Sequence, residues 1–461
     1  MTAAVLRQIL AVAGIDPERA NDVSMTGADP VLPTPFPMAG AGAAALGAVG
    51  LAAAALWQAR GGNAQTIAID LRHAALAMRA GTYLVRGSDS GAVEWDPISG
   101  FYQGRDGRWI QLHCQFPHFR DGVLAMFGCE NDRDAVAHAI SARDIPELED
   151  DLAGRGLPGF MVRTADEWAA HGQGQAVAGL PLLEIERIGD APPEPLGAGS
   201  RPLSDINVLD LTRVIAGPTV GRTLAEHGAE VLRISGPGLP FLEPLVIDTG
   251  HGKRAAELDL GTLDGRHQLQ ALAKSAHVFS QSYRPGALAA RGFGPDDLAA
   301  IRPGIVCVSL DAWSRAGPWA ARRGYDTLVQ SATGLAYAQG TVGQPKHLPG
   351  SPLDYISGYL GAFGAMVALE RRTREGGSWH VRLSLAQTAH WFKGLDRVAF
   401  DGDPRDLAVP APEDFGIERL KADTAWGPIR FLGPVLRMSE TPPRWDRAVR
   451  PLGSDTASWP A

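Results

Sequence analysis

The chain has 461 residues, 45% apolar and 20% charged, with 55 Gly and 34 Pro; this balance fits two or three compact domains and excludes a disordered chain or a lone recognition module. Its 51 acidic residues against 43 basic ones give a net charge of −8, and with no Lys/Arg block nucleic acid is not an expected partner. Three cysteines without CxxC spacing, Cys114, Cys129 and Cys307, point to a reducing compartment and to small buried hydrophobes rather than a disulfide frame.

Met1–Gly14 has a short apolar run, but Asp16, Glu18 and Arg19 follow at once; without the apolar core of a secretory signal, a cytoplasmic location is expected. Ala39–Trp57 is nineteen residues without a charge, long enough for a membrane span. It is mostly Ala and Gly, so it reads as a closely packed buried helix, with no membrane. An internal repeat organises the rest. At a displacement of 314 positions Gly47, Gly50, Ala54, Arg60 and Gly62 fall on Gly361, Gly364, Ala368, Arg374 and Gly376, and Ile67, Ile69 and Leu71 on Val381, Leu383 and Leu385. Each copy reads as a small-residue helix, a Gly turn, and an alternating strand running into an Ala-rich helix.

Between the copies, Phe101–His113 reads as a hairpin turning at Arg105-Asp106-Gly107, followed by helices near Asp121–Phe127, Ala135–Ala142 and Ala165–His171, a small α+β domain. Ala191–Pro202, rich in Pro and Gly, reads as a linker. Strands at Ile206–Leu211, Glu230–Ile234, Ala255–Leu260, His277–Gln281 and Ile305–Leu310 then alternate with helices near Val220–His227, Leu263–Ser275 and Pro295–Ile301. This predicts an α/β fold with a doubly wound parallel sheet, its ligand beyond the carboxyl ends of the strands. The expected divisions are 1–90, 91–190, 191–202, 203–400 and a wrapping tail at 401–461.

Thr212-Arg213-Val214-Ile215-Ala216-Gly217-Pro218 leads from the first strand into a helix whose free N–H groups can meet a phosphate. By composition it is equally a plain strand-to-helix turn. His251-Gly252-Lys253-Arg254 sets two cations beside a glycine, and Ser282-Tyr283-Arg284-Pro285-Gly286 sets an aromatic and an Arg after another strand. Three such loops around one sheet suggest a ligand with phosphates and a flat ring. His113, Cys114 and His118 lack the further ligands a metal needs, so no metal is expected. His380 and His390 read as packing or surface residues, and Trp313 as packing under the Gly317-Pro318 turn.

The succession Val208-Leu209-Asp210-Leu211-Thr212-Arg213 to Pro218, Gly252-Lys253-Arg254 with Leu258-Asp259-Leu260, Arg284-Pro285-Gly286 and Gly324-Tyr325-Asp326 resembles the class III CoA-transferase family, which includes formyl-CoA and carnitine CoA-transferases and α-methylacyl-CoA racemases. The likeness covers about Pro202–Ala389. Phe101–Gly128 is similar to the family's small domain, with Asp106-Gly107-Arg108-Trp109 as its hairpin, and Ser439–Pro442 with Trp445-Asp446-Arg447 to its tail. The resemblance implies that 203–400 is a Rossmann-like CoA-binding domain, with Arg213, Val214, Ala216, Lys253, Arg254, Ser282, Tyr283, Arg284 and Arg291 on coenzyme A. It implies acyl-CoA and a small carboxylic acid as partners, the CoA thioester as substrate without a tightly bound cofactor, and a homodimer, with an interlocked form open.

The resemblance also makes Asp354 the catalytic nucleophile. Without it, Asp354 reads as the N-cap of a helix beginning near Ile356, a position Asp favours. The two roles are compatible, because a helix N-terminus favours the ionised carboxylate that attacks a thioester. Gly40 stands where the second copy has Asp354, so the first copy is expected to be structural.

The expected reaction is CoA transfer between an acyl-CoA and a carboxylic acid through an aspartyl-CoA thioester. Two rivals remain. A racemase or isomerase on the same scaffold needs an acid/base beside Asp354, for which Tyr325 or Asp326 is available; Tyr, with a reference pKa of ~10, is a poor proton shuttle at neutral pH. A non-catalytic CoA-binding subunit is suggested by the degenerate first copy and by the absence of a run of glycines after Asp354.

Overall fold

The computed structural model describes residues 2–341 and 343–460. Its largest sheet has seven strands: β1 (Glu184–Gly189), β2 (Asn207–Leu211), β3 (Glu230–Ser235), β4 (Lys253–Glu257), β5 (Val278–Gln281), β6 (Val306–Asp311) and β7 (Ser378–Ser384). Their order is β4-β3-β2-β5-β6-β7-β1. All neighbours are parallel except β7 and β1. The sheet is sandwiched between helices, so its strands are apolar on both sides. Val208, Val231, Val278 and Val306 pack toward the helices Ala216–Glu226 and Pro352–Glu375. Leu209, Leu232 and Phe279 pack toward the helices Leu263–Ala273 and Pro295–Ile301. The chain order reverses between β2 and β5, which opens a crevice at their carboxyl ends.

The repeat is visible as matched architecture. The first copy is a helix Met38–Ala59, a strand Ile67–Asp70 and a helix Leu71–Ala77; the second is Pro352–Glu375, β7 and Leu385–Lys393. Ile67 pairs with Val23 in a parallel strand, as Val381 pairs with Val308. Asp70 caps the following helix through the Arg72 N–H, as Ser384 does through the Gln387 N–H. The two long helices pack along one another in a shared core. Met38–Ala59 is the one helix among the described residues long and apolar enough to cross a membrane, and 94% of its most apolar window is buried. The start of each copy also lies against the end of the other: the Ser351 N–H donates to the Met78 carbonyl at 3.0 Å, and Phe392 stacks on Phe36 at 5.4 Å. This is an approximate two-fold relation within one chain.

The small domain is a three-stranded antiparallel sheet, Gly100–Gln103, Trp109–Leu112 and Gly159–Met161, with helices Pro117–Phe127, Arg133–Ser141 and Ile145–Gly154 around its own core. Three expectations change here. Glu184–Gly189, placed in the small domain by sequence position, crosses to the large sheet as its antiparallel edge. The stretch 191–202 is pinned rather than free, with Glu194 on Arg302 at 2.8 Å and Arg60 on the Pro202 carbonyl at 2.9 Å. Cys129 is only half-buried, unlike Cys114 and Cys307. The tail wraps the first half and adds strands of its own: Gly427–Phe431 pairs with Val85–Arg86, and Arg437–Met438 with Ile67 and Ala68.

Candidate active site

The loops after β2, β3, β4, β5 and β6 line one cleft of about 560 Å³ at the carboxyl edge of the sheet, which Asp354 also lines. At the switch point, the Arg213 N–H donates to Ser282 Oγ at 3.3 Å, tying the loop after β2 to the loop after β5. Val214 is left-handed, with φ 71°, an unfavourable state for a β-branched residue. The next helix, Ala216–Glu226, starts without a side-chain cap, so its first N–H groups remain available to an anion. The Pro352–Glu375 helix comes close because Gly358 replaces a side chain at the crossing; a Cβ there would lie 2.7 Å from the Ala216 carbonyl oxygen.

Asp354 is 7% exposed and lies within the first turn of a helix that begins at Pro352, not near Ile356. It is therefore not the N-cap, and the capping falls to Asp326. The Asp354 N–H donates to Asp326 Oδ2 at 2.9 Å, the Leu353 N–H donates to the same carboxylate, and Gln330 Nε2 donates to Oδ1. Gln330 Oε1 in turn accepts the Leu348 N–H at 2.8 Å. Burial, then the nearby Asp326, pushes the Asp354 carboxyl well above the ordinary carboxylate range. Burial raises the Asp326 carboxyl as well, to about 6, against the opposing effect of the backbone and Gln330 donors. Its oxygens are committed to these donors and it does not line the cleft, which removes it as the acid/base weighed for a racemase and makes it the group that positions Asp354.

Tyr325 does line the cleft. Burial pushes its phenol up to about 12, against the opposing effect of Arg213 and Arg323, so it is a neutral hydrogen-bonding group at physiological pH. Its ring stacks on His113 of the small domain at 4.2 Å. The small domain also supplies Phe116, under the Arg213 guanidinium at 5.7 Å, and Phe119, under Arg323 at 5.0 Å.

Of the expected CoA contacts, Arg213, Val214, Ala216, Ser282, Tyr283, Arg284 and Arg291 line the cleft. Lys253 and Arg254 do not. They sit at the start of β4, the end of the strand away from the cleft. Lys253 is 1% exposed and donates to Asp210 Oδ2 at 2.6 Å and to the Pro218 carbonyl at 2.7 Å. Arg254 is engaged by the tail, donating to the Ser458 carbonyl at 2.6 Å. Arg322 and Arg323, which the sequence reading passed over, also line the cleft; the doublet directly before Gly324-Tyr325 was the available signal. Nothing local marks Phe116, which arrives from another domain. Among the described residues no group of three or more His, Cys, Asp or Glu could hold a metal.

A basic cleft with a buried carboxylate at a helix N-terminus can bind a phosphorylated acyl carrier and present a nucleophile to it. Comparison with known proteins agrees in kind. The family described as CoA-transferase family III matches residues 21–193 and, separately, 203–399. An acyl-CoA transferase of Gibberella moniliformis is 32% identical over 325 residues, 65% of this chain and 56% of that protein. A human succinyl-CoA:glutarate CoA-transferase is 30% identical over 180 residues, 36% of this chain and 41% of that one. A hypothetical protein of Mycobacterium tuberculosis with a crystal structure is 31% identical, with a TM-score of 0.39 over 41% of this chain and 57% of the other. The chain thus spans about half the length of these relatives.

Proposed function

The chain belongs to CoA-transferase family III, and from that premise we propose that it transfers CoA between an acyl-CoA and a carboxylic acid, with Asp354 as nucleophile. The observation that carries the reading is the place of Asp354: buried, at a helix N-terminus, in the cleft to which five strand ends contribute. Arg213, Arg284 and Arg291, which line the cleft, and the uncapped N–H groups at the start of Ala216–Glu226 would meet the phosphates. An Asp354 oxygen attacks the thioester carbonyl and the CoA thiolate leaves, giving a mixed anhydride. The thiolate then attacks the aspartyl carbonyl, releasing the first acid and leaving an aspartyl-CoA thioester. The incoming carboxylate attacks that thioester, and the thiolate so released attacks the new acyl carbonyl, which restores the Asp354 carboxylate. Each difficult exchange is thereby divided into easier ones. Tyr325 and the arginines beside it offer hydrogen bonds and positive charge to the oxyanions.

The internal two-fold relation and the small domain's contribution to the cleft support one chain, rather than a homodimer, as the working unit. The test is exchange of CoA between acyl-CoA donors and carboxylic acids, with hydroxylamine added during turnover. A hydroxamate at Asp354 is expected, located by mass spectrometry; turnover with the label confined to another carboxylate would overturn the assignment.

A further inference from the structure

The stretch that carries Asp354 is held by the other half of the chain. The Ser351 N–H donates to the Met78 carbonyl at 3.0 Å, Arg79 Nη1 donates to the Pro349 carbonyl at 3.1 Å, and the Gly81 N–H donates to Tyr355 Oη at 3.2 Å. These bonds fall on both sides of Asp354 and come from one short segment, Met78–Gly81, directly after the helix Leu71–Ala77 that ends the first copy. Gly350 makes the approach possible. Its φ is 149°, and a Cβ there would lie 2.6 Å from the Met78 carbonyl oxygen.

Tyr355 carries the contact further. It is 1% exposed, and burial, then Asp248, holds its phenol far above the ordinary range, so it stays protonated. Its Oη donates to Asp248 Oδ2 at 3.1 Å while accepting from Gly81. Arg222 Nη1 donates to the same Oδ2 at 3.2 Å, and Arg222 lies on Ala216–Glu226, the helix whose uncapped start lines the cleft. One buried chain of hydrogen bonds thus runs from the first half, through the residue after Asp354, to that helix. The two-fold-related contact is of another kind. Phe36 and Phe392 occupy the positions aligned with Gly350 and Met78, and they stack at 5.4 Å, packing where no reacting group has to be placed.

We propose that Met78–Gly81, acting with Tyr355, position Asp354 against the thioester, so that the half without a reacting carboxylate is a working part of the site. This rests on reading Asp354 as the nucleophile. Attack needs the reacting atoms about 3–3.5 Å apart, and a misplacement of about 1 Å can cost about a hundredfold in rate. Arg79 and Tyr355 do not line the cleft, so their replacement leaves the CoA contacts in place.

Tyr355→Phe keeps the ring and removes only the hydroxyl, while Arg79→Ala and Arg79→Lys remove and restore the donor to Pro349. Phe36→Leu is the control, at the aligned contact of the other helix. Steady-state CoA exchange, thermal unfolding and amide hydrogen exchange within 349–357 would be measured for each in the full chain. Tyr355→Phe and Arg79→Ala should lower kcat about tenfold or more with KM for the acyl-CoA within twofold, and should quicken amide exchange in that segment. Arg79→Lys should recover most of both, and this pair decides the matter if Tyr355→Phe does not fold. Phe36→Leu should lower the unfolding temperature yet leave kcat and the segment's exchange within twofold of wild type. An unchanged kcat in Arg79→Ala overturns the proposal, as does an equal fall of kcat in Phe36→Leu, which would make the loss one of general stability. Absent CoA transfer by wild type would sink the proposed reaction. The amide exchange would then still show whether Met78–Gly81 hold the segment, and no acceleration in Arg79→Ala or Tyr355→Phe would show that they do not.

Discussion

Asp326 and Asp354 are joined through the backbone, the Oδ2 of one accepting the N–H of the other at 2.9 Å. The first half of the chain repeats the arrangement: Asp29 Oδ2 accepts the Gly40 N–H at 2.7 Å and Oδ1 the Ala39 N–H at 3.0 Å, at the positions aligned with Asp354 and Leu353. Capping by a loop carboxylate is thus common to both halves, and the carboxylate facing the cleft belongs to one. Asp326→Asn can keep an acceptor oxygen for the Asp354 N–H but then turns an amide toward the Gln330 Nε2 donor. An unmet buried donor costs about 1–3 kcal/mol. The variant should show a lower unfolding temperature and a fall in kcat with CoA affinity nearly unchanged; an unaltered kcat would show that Asp326 does not position Asp354.

Asp354→Asn separates catalysis from stability. The folded chain holds the Asp354 proton more tightly than the unfolded chain does, because burial raises this pKa. Below the unfolded value of ~3.9 both states are protonated and nothing is lost. As pH rises from there the unfolded chain ionises first, and stability falls until the folded pKa is passed. The Asn variant should therefore unfold at a higher temperature than wild type at neutral pH and at the same temperature near pH 3, while exchange falls by about a thousandfold or more. In wild type the rate should rise with pH as Asp354 ionises. Identical unfolding curves across that range would place Asp354 in a solvated site.

The strand–helix alternation and the switch point were legible because parallel strands buried on both faces leave continuous apolar runs, as at Val208–Leu211 and Val306–Leu310. The repeat was legible because close packing of two Ala/Gly helices keeps small residues in register. What was not legible is long-range. Lys253 looks like a loop cation until β2 places Asp210 against it, and Arg254 looks free until the tail returns with Asp455, 3.8 Å from its guanidinium. Phe116 reaches the cleft, and His113 the ring of Tyr325 that lines it, only because the small domain folds back over it.

Lys253 and Arg254 separate accordingly from the cleft arginines. Lys253→Met strands the Asp210 carboxylate in the interior, and breaking a buried pair from one side costs about 3–5 kcal/mol, so poor folding or a large drop in unfolding temperature is expected. Arg254→Ala should loosen the tail, read as faster proteolysis after residue 450, with CoA affinity within twofold of wild type. Arg284→Ala and Arg213→Ala should each weaken CoA about tenfold and flatten its salt dependence. A loss of CoA affinity in Arg254→Ala equal to that in Arg284→Ala would return the loop after Gly252 to the binding site.

One site per chain follows from the asymmetry between the halves. Among the described residues the first half offers a capped helix N-terminus without an equivalent of the loops after β2 and β5, and the helix Thr2–Val12 lies beside it, with Thr2, Val5 and Gly40 around a smaller cavity of about 210 Å³. A Cβ on Gly40 would lie 3.0 Å from Asp29 Oδ2 and 3.2 Å from Thr2 Oγ1, so Gly40→Asp would bring a second carboxylate against one whose pKa burial already raises to about 6. Like charges at that range repel, and the variant should unfold at a lower temperature at pH 8 than at pH 5 without gaining a site. Calorimetry should return one CoA per chain for wild type and for Gly40→Asp, and light scattering at assay concentrations should return the mass of one chain. Two CoA per chain, or specific activity that falls on dilution as the mass halves, would mean that the second half of the site comes from another copy.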